Sequence, residues 1–149
     1  MSLGFLVDTS VLSVLAPDRP ALAAEQGEWL RARTDHLFIS AVTVLEVEQG
    51  IGKLRRLGAA ARADRFAAWL DNLLTLYGDR MLPLDARVAR LAGALSDQAF
   101  ASGRHPGLAD IAIAATALAH DLIVLTENGK HFERFGVTFS DLAGAVRLR

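Results

Sequence analysis

Three acidic residues sit where an α/β chain places its chemistry. Asp8 ends the apolar run Phe5-Leu6-Val7. Glu46 lies in the segment after a second such run, Leu37-Phe38-Ile39, and Asp110 stands in the first turn of the apolar stretch Leu108–Ala119. In an open parallel sheet, ligands bind beyond the carboxyl ends of the strands, beside the helices that follow. Acids from distant parts of the chain could therefore meet at one rim. Two carboxylates about 4 Å apart repel by roughly 4 kcal/mol at an effective dielectric near 20, so three together require a cation or a shared proton. The chain has no Cys and only 4 His, and carboxylate oxygens are hard ligands, which points to Mg²⁺ or Mn²⁺ rather than zinc. Such an ion binds phosphate oxygens and lowers the pKa of a bound water. Phosphodiester hydrolysis is the chemistry that follows.

Each acid also has a structural reading. Asp8 could cap the helix after it, a role open to Thr9 and Ser10 as well. Thr43-x-x-Glu46 has the spacing of a capping box, which by itself favours a structural Glu46. Asp110 suits the macrodipole of a helix N-terminus. Its neighbours Leu108, Ala109, Ile111, Ala112 and Ile113 predict burial, however, and a buried carboxylate needs a positive partner close by.

The elements that must position these residues follow from periodicity and breakers. Phe5–Val7 and Leu37–Ile39 read as buried strands, Arg80–Leu84 and Leu122–Leu125 as further strands, and Val137–Phe139 as a final edge strand. Pro17 and Pro20 break the chain before a helix over Ala21–Arg33. Ser40 begins a helix to about Leu57, interrupted by Gly50 and Gly52. Ala59–Tyr77 places Phe66, Trp69, Leu70, Leu73 and Leu74 at helical spacing, as core or a dimer interface. Asp85 begins a helix to about Ser102, Gly103–Gly107 is a loop, Leu108–Ala119 is a helix apolar almost all round, and Thr126–Lys130 is a turn. Strands alternating with helices predict an α/β fold, a parallel sheet covered on both faces, in one domain spanning residues 1–149.

Composition bounds the partners. Lys and Arg number 16 against 17 Asp and Glu, so no global basic field drives nonspecific nucleic-acid binding. Lys53 and Lys130 are the only lysines, and arginine suits bidentate phosphate contacts. Apolar residues make up 52% of the chain before its 12 Gly are added, above the usual ~45–50% with Gly included. That excess leans toward a protein that covers apolar surface with a partner. A lack of Cys fits the cytoplasm. Met1–Val7 has no basic n-region, so no signal peptide is read, and the apolar run near Ile111–Ala119 is too short to span a bilayer.

Taken in order, Phe5-Leu6-Val7-Asp8-Thr9-Ser10, Ser40 through Glu46 with Gly50-Ile51, Leu82-Pro83-Leu84-Asp85, Leu108-Ala109-Asp110-Ile111 through Ala117, and Leu125-Thr126-Glu127-Asn128 with Phe132 resemble a PIN-domain ribonuclease of the VapC toxin type, nearly end to end. The resemblance implies a three-layer α/β/α sandwich with a central parallel sheet. It also implies a Mg²⁺- or Mn²⁺-dependent endonuclease acting on RNA. Asp8, Glu46 and Asp110 match the family's acidic metal-binding positions, and Thr9 or Thr126 could hold a carboxylate or bound water. The resemblance further implies a small antitoxin that blocks the active site, and a homodimer.

One position departs from the pattern. Such sequences often carry a fourth acid just before the Phe that matches Phe132, and here His131 stands there, read as a surface-helix histidine. Asn128 or Glu127 could substitute through water, which leaves open whether one ion or two binds. Lys53, Arg55, Arg56, Arg62 and Arg65 after Glu46, and Arg104-His105 before Asp110, could track an RNA backbone. A haloacid-dehalogenase-like phosphatase would want an Asp where Ser10 stands, and a receiver domain would want paired acids on the first strand. The competing non-enzymatic reading is a degenerate domain of the same fold that serves as a protein-binding module.

Overall fold

Apolar runs of two to four residues form the strands: β1 (Phe5–Val7), β2 (Leu37–Ser40), β3 (Met81–Leu82), β4 (Ile123–Leu125) and β5 (Phe139–Ser140). In the computed structural model, which describes residues 3–148, they pair in the order β3-β2-β1-β4-β5 with every neighbour parallel. Phe5 stands level with Leu37 on one side and Ile123 on the other. Parallel strands require crossover connections. These carry α1 (Thr9–Val14), α2 (Ala24–Ala32), α3 (Ala41–Arg56), α4 (Ala60–Tyr77), α5 (Ala86–Ala101) and α6 (Leu108–Ala119), and α7 (Leu142–Val146) follows the last strand.

The two-residue alternation of a strand divides the core into two layers. Leu6 of β1 and Val124 of β4 face α5 and α6, packing with Val88, Leu95, Ile113 and Phe132. Phe5, Val7 and Leu125 face the other way, onto Val11 and Leu12 of α1, Trp29 and Leu30 of α2, and Leu142 of α7. All three β1 residues are almost fully buried, each contributing about 1.5–3 kcal/mol of transfer free energy. Helices therefore cover both faces of the sheet, the expected three-layer α/β/α sandwich. No helix among the described residues is long and apolar enough to cross a membrane.

Several element boundaries differ from the sequence expectation, for local reasons. α3 runs unbroken through Gly50 and Gly52. Packing of Ile51 against Ala63 and Leu70 of α4 outweighs the roughly 1 kcal/mol each helical glycine costs. The expected strand over Arg80–Leu84 shrinks to β3. Gly78–Arg80 coil into a 3-10 turn, and Pro83 has no N–H for the ladder. Arg80 instead donates to the carbonyls of Thr34, Leu37 and Leu76. α2 starts at Ala24 rather than Ala21, and the last strand is shifted to Phe139–Ser140.

From β1 the chain moves outward through β2 to β3, then crosses back to β4 on the opposite side. The strand order thus reverses between β1 and β4. The crevice beyond the carboxyl ends of those two strands is where this architecture binds ligands.

Candidate active site

Asp8 is the first residue past β1, its N–H donating to the Leu125 carbonyl at 2.9 Å. It occupies the N-cap position of α1, yet its side chain makes no capping hydrogen bond. Two hydroxyls hold it instead. Ser10 Oγ and Thr126 Oγ1 each donate to Asp8 Oδ2 at 2.8 Å. Each hydroxyl also accepts a backbone N–H from the turn after β4, Ser10 from Glu127 and Thr126 from Asn128, both at 3.0 Å. The carboxylate is only 5% exposed, so these two bonds offset much of its desolvation. The capping reading fails at this position because the carboxylate accepts from the Ser10 and Thr126 hydroxyls and from no backbone N–H of its helix.

Glu46 projects from the middle of α3. The helix is capped by Ser40, whose Oγ accepts the Val42 N–H at 3.0 Å, so Thr43 and Glu46 form no capping box. Thr43 is fully buried. Glu46 Oε1 instead accepts a hydrogen bond of 2.6 Å from Thr9 Oγ1, with Thr43 Oγ1 3.2 Å from that hydroxyl. Thr9 is thereby a bridge from the β1 end to α3.

Asp110 stands in the first turn of α6, after the N-cap Gly107. Its Oδ2 lies 3.0 Å from His131 Nδ1, a contact that becomes an ion pair whenever the imidazole is protonated. Burial raises the Asp110 pKa above the ordinary 3.8, His131 opposes that rise, and the charge of Asp8 adds to it. A carboxyl held high in the fold binds its proton more tightly folded than unfolded. Stability is then lost as pH rises from the unfolded value through the folded one. Asp110→Asn is expected to remove that loss, so that its melting temperature gains on the parent's across this acid range without divalent ions. A constant difference between the two proteins at every pH would contradict it.

Asp8, Glu46 and Asp110 line one pocket of about 360 Å³, together with Thr9, Asn128 and His131. Among the described residues, no three His, Asp or Glu side chains form a ready-made ligand cluster. Thr9 engages Glu46 Oε1 and His131 engages Asp110 Oδ2. Hydroxyl-supported carboxylates plus an Asn amide are nonetheless a hard oxygen donor set. That set fits Mg²⁺ or Mn²⁺, which keep several waters and need few protein ligands.

A family model described as the PIN domain matches residues 5–137. The chain belongs to the PIN-domain family. A VapC ribonuclease, Y4jK of Sinorhizobium fredii, is 36% identical over 137 residues, covering 89% of this chain and 92% of that protein. The toxin FitB of Neisseria gonorrhoeae is 31% identical over 85% of this chain and 89% of its own length. Among solved structures, FitAcB from Neisseria gonorrhoeae superposes with a TM-score of 0.78 at 29% identity, covering 93% of this chain and 98% of that one. Within the family the chain is of the VapC type.

Two side chains of this PIN domain escaped the sequence reading of its site. Ser10 holds Asp8, and the only hint in sequence is a hydroxyl two positions beyond the acid. His131 lies half-exposed at the end of a 3-10 turn, Gly129–His131, and what the sequence reading missed is that it reaches Asp110. The basic candidates divide. Arg55 pairs with Asp64 at 2.8 Å, and Arg56 lines a separate hollow with Leu45 and Lys53, so neither lines the acidic pocket. Arg104 lines a groove that shares Asp110 and His131 with it.

Proposed function

We propose that this PIN domain is an endoribonuclease requiring Mg²⁺ or Mn²⁺, and the toxin of a toxin–antitoxin pair. The observation that carries the reading is the single pocket lined by Asp8, Glu46 and Asp110 at the point where strand order reverses. A ribonuclease and a toxin among the relatives support the same reading. Asp8, Glu46 and Asp110 would hold the ion, with Asn128 in reach of the same pocket. When bound, a divalent ion supplies charge neutralisation at the phosphate and an activated water. Ser10 and Thr126 keep the Asp8 carboxylate aimed. Thr9 fixes one oxygen of Glu46, which would orient a water or take its proton as that water attacks phosphorus in line, the P–O bond opposite it breaking and the leaving ribose oxygen taking up a proton from solvent. His131 restrains Asp110.

Purified protein is expected to cut RNA with Mn²⁺ or Mg²⁺ and to stop in EDTA. Glu46→Gln should slow cutting by about 10²–10⁴-fold, the usual worth of a general base. Equal cutting by the variant would remove Glu46 from the chemistry, and cutting undiminished in EDTA would remove the metal.

A small antitoxin and a second copy of the chain are the protein partners, acting in the cytoplasm. Apolar surface suited to protein partners includes a groove of about 520 Å³ lined by Val14, Leu15, Leu22, Leu73, Leu76 and Tyr77. The second reading, a degenerate domain that only binds proteins, is favoured by His131 standing where the family often has an acid. It expects no metal-linked rise in melting temperature.

A further inference from the structure

Past Asp110 and His131 the cleft continues into a groove of about 460 Å³ whose walls carry Arg104, His105, Lys130 and Arg134. Two carboxylates, Asp110 and Glu133, share its walls with the three cations Arg104, Lys130 and Arg134, so the lining carries an excess of positive charge. Arg55, Arg62 and Arg65 are neutralised by Asp64 or Asp18. Among the described residues, Arg104, Lys130 and Arg134 have no such ion pair. Arg104 Nε is shielded from water with no hydrogen-bond acceptor among them.

Local backbone chemistry sets this arrangement. Gly103 adopts a φ of 70-odd degrees on the left-handed side (+73°) and ends α5, its N–H donating to the Phe100 carbonyl at 2.9 Å while Arg104 N–H donates to Ala99 at 2.8 Å. This reciprocal closure is a Schellman end, which glycine enters without a Cβ penalty. Phe100 is left 53% exposed. Its ring lies tilted against His105, centroids 5.0 Å apart. An exposed aromatic pair beside unpaired cations is the combination that holds single-stranded nucleic acid, through stacked bases and neutralised phosphates.

We infer that this groove binds the nucleotides flanking the scissile phosphate of a single-stranded RNA, phosphates on Arg104, Lys130 and Arg134, and an unpaired base on Phe100 and His105. The inference rests on the ribonuclease reading above. A duplex offers no free base face to the Phe100–His105 pair, because its bases are already stacked and paired.

The test is fluorescence anisotropy of a short labelled RNA with the whole protein, in EDTA to prevent cutting, over a range of NaCl. The Arg104→Ala, Arg134→Ala double variant should bind about tenfold more weakly, with the slope of log affinity against log salt shallower by about 1.4, since each single-strand phosphate contact contributes about 0.7. Phe100→Ala should lose about 5- to 100-fold at an unchanged slope, and Phe100→Trp should restore binding. With Mn²⁺ added, both losses should appear as a raised KM more than a lowered kcat. Variants that bind and cut like the parent overturn this inference alone. So does a Phe100→Ala protein that changes oligomeric state with RNA affinity intact, because the face is then an interface between copies. A parent that neither binds nor cuts RNA overturns the ribonuclease reading and this inference together.

Discussion

Asp8→Asn is expected to slow RNA cleavage by about 10²–10³-fold, the usual loss when one fixed electrostatic contact at a reacting centre is removed. The fold should survive, because the Asn carbonyl oxygen can accept both hydroxyl protons that Asp8 Oδ2 takes from Ser10 and Thr126. The charge alone is removed, and with it the Asp8 contribution that raises the Asp110 pKa. Metal linkage makes the prediction specific. A parent protein held at about 100 times its metal Kd gains about 2.7 kcal/mol. For a chain of this length that is about 5–10 °C in melting temperature. Asp8→Asn should lose most of that gain while melting near the parent without metal. A variant that cuts and is stabilised like the parent would show that Asp8 is structural.

Phe132→Ala should cost about 3–5 kcal/mol, the range for truncating a buried aromatic side chain, and lower the melting temperature by about 6–20 °C. Phe132 is fully buried in the layer shared by α5, α6 and β4. Its ring meets Phe135 edge-on at 6.4 Å, and its N–H donates to Gly129 at 2.9 Å. That bond closes the turn carrying His131, which begins one residue after Asn128. Loosening the turn should therefore also reduce cleavage per folded molecule, measured below the melting transition. A shift of less than about 2 °C would mean that the cavity collapses and the turn is held by other contacts.

Where local energies decide, the sequence was a good guide. The helix expected over Leu108–Ala119 is observed with those bounds, because its apolar run and the loop before it are both local signals. Ser40 and Asp85 cap α3 and α5 through their own side chains. Gly50 and Gly52 misled, since their helical cost is local but the contact that overrides it, Ile51 on α4, is not. The same division runs through the site. Residue type identified Asp8, Glu46 and Asp110 as candidates, and the family resemblance added Thr9 and Thr126. The choice between cap and site turned on partners more than 30 positions away, Thr9 for Glu46 and Thr126 for Asp8.

Taken alone, the amino-acid order determined the three inner strands β1, β2 and β4 to within a residue, most helix limits, the hard-oxygen character of the donor set and the family resemblance. Backbone capping, side-chain periodicity and ligand hardness act over a few residues or within one group. Folding in three dimensions decided which carboxylates share a pocket, that His131 pairs with Asp110, and which arginines remain available for an anion. Coulomb attraction and desolvation depend on distance through space, and the crossing of the chain from β3 back to β4 sets those distances.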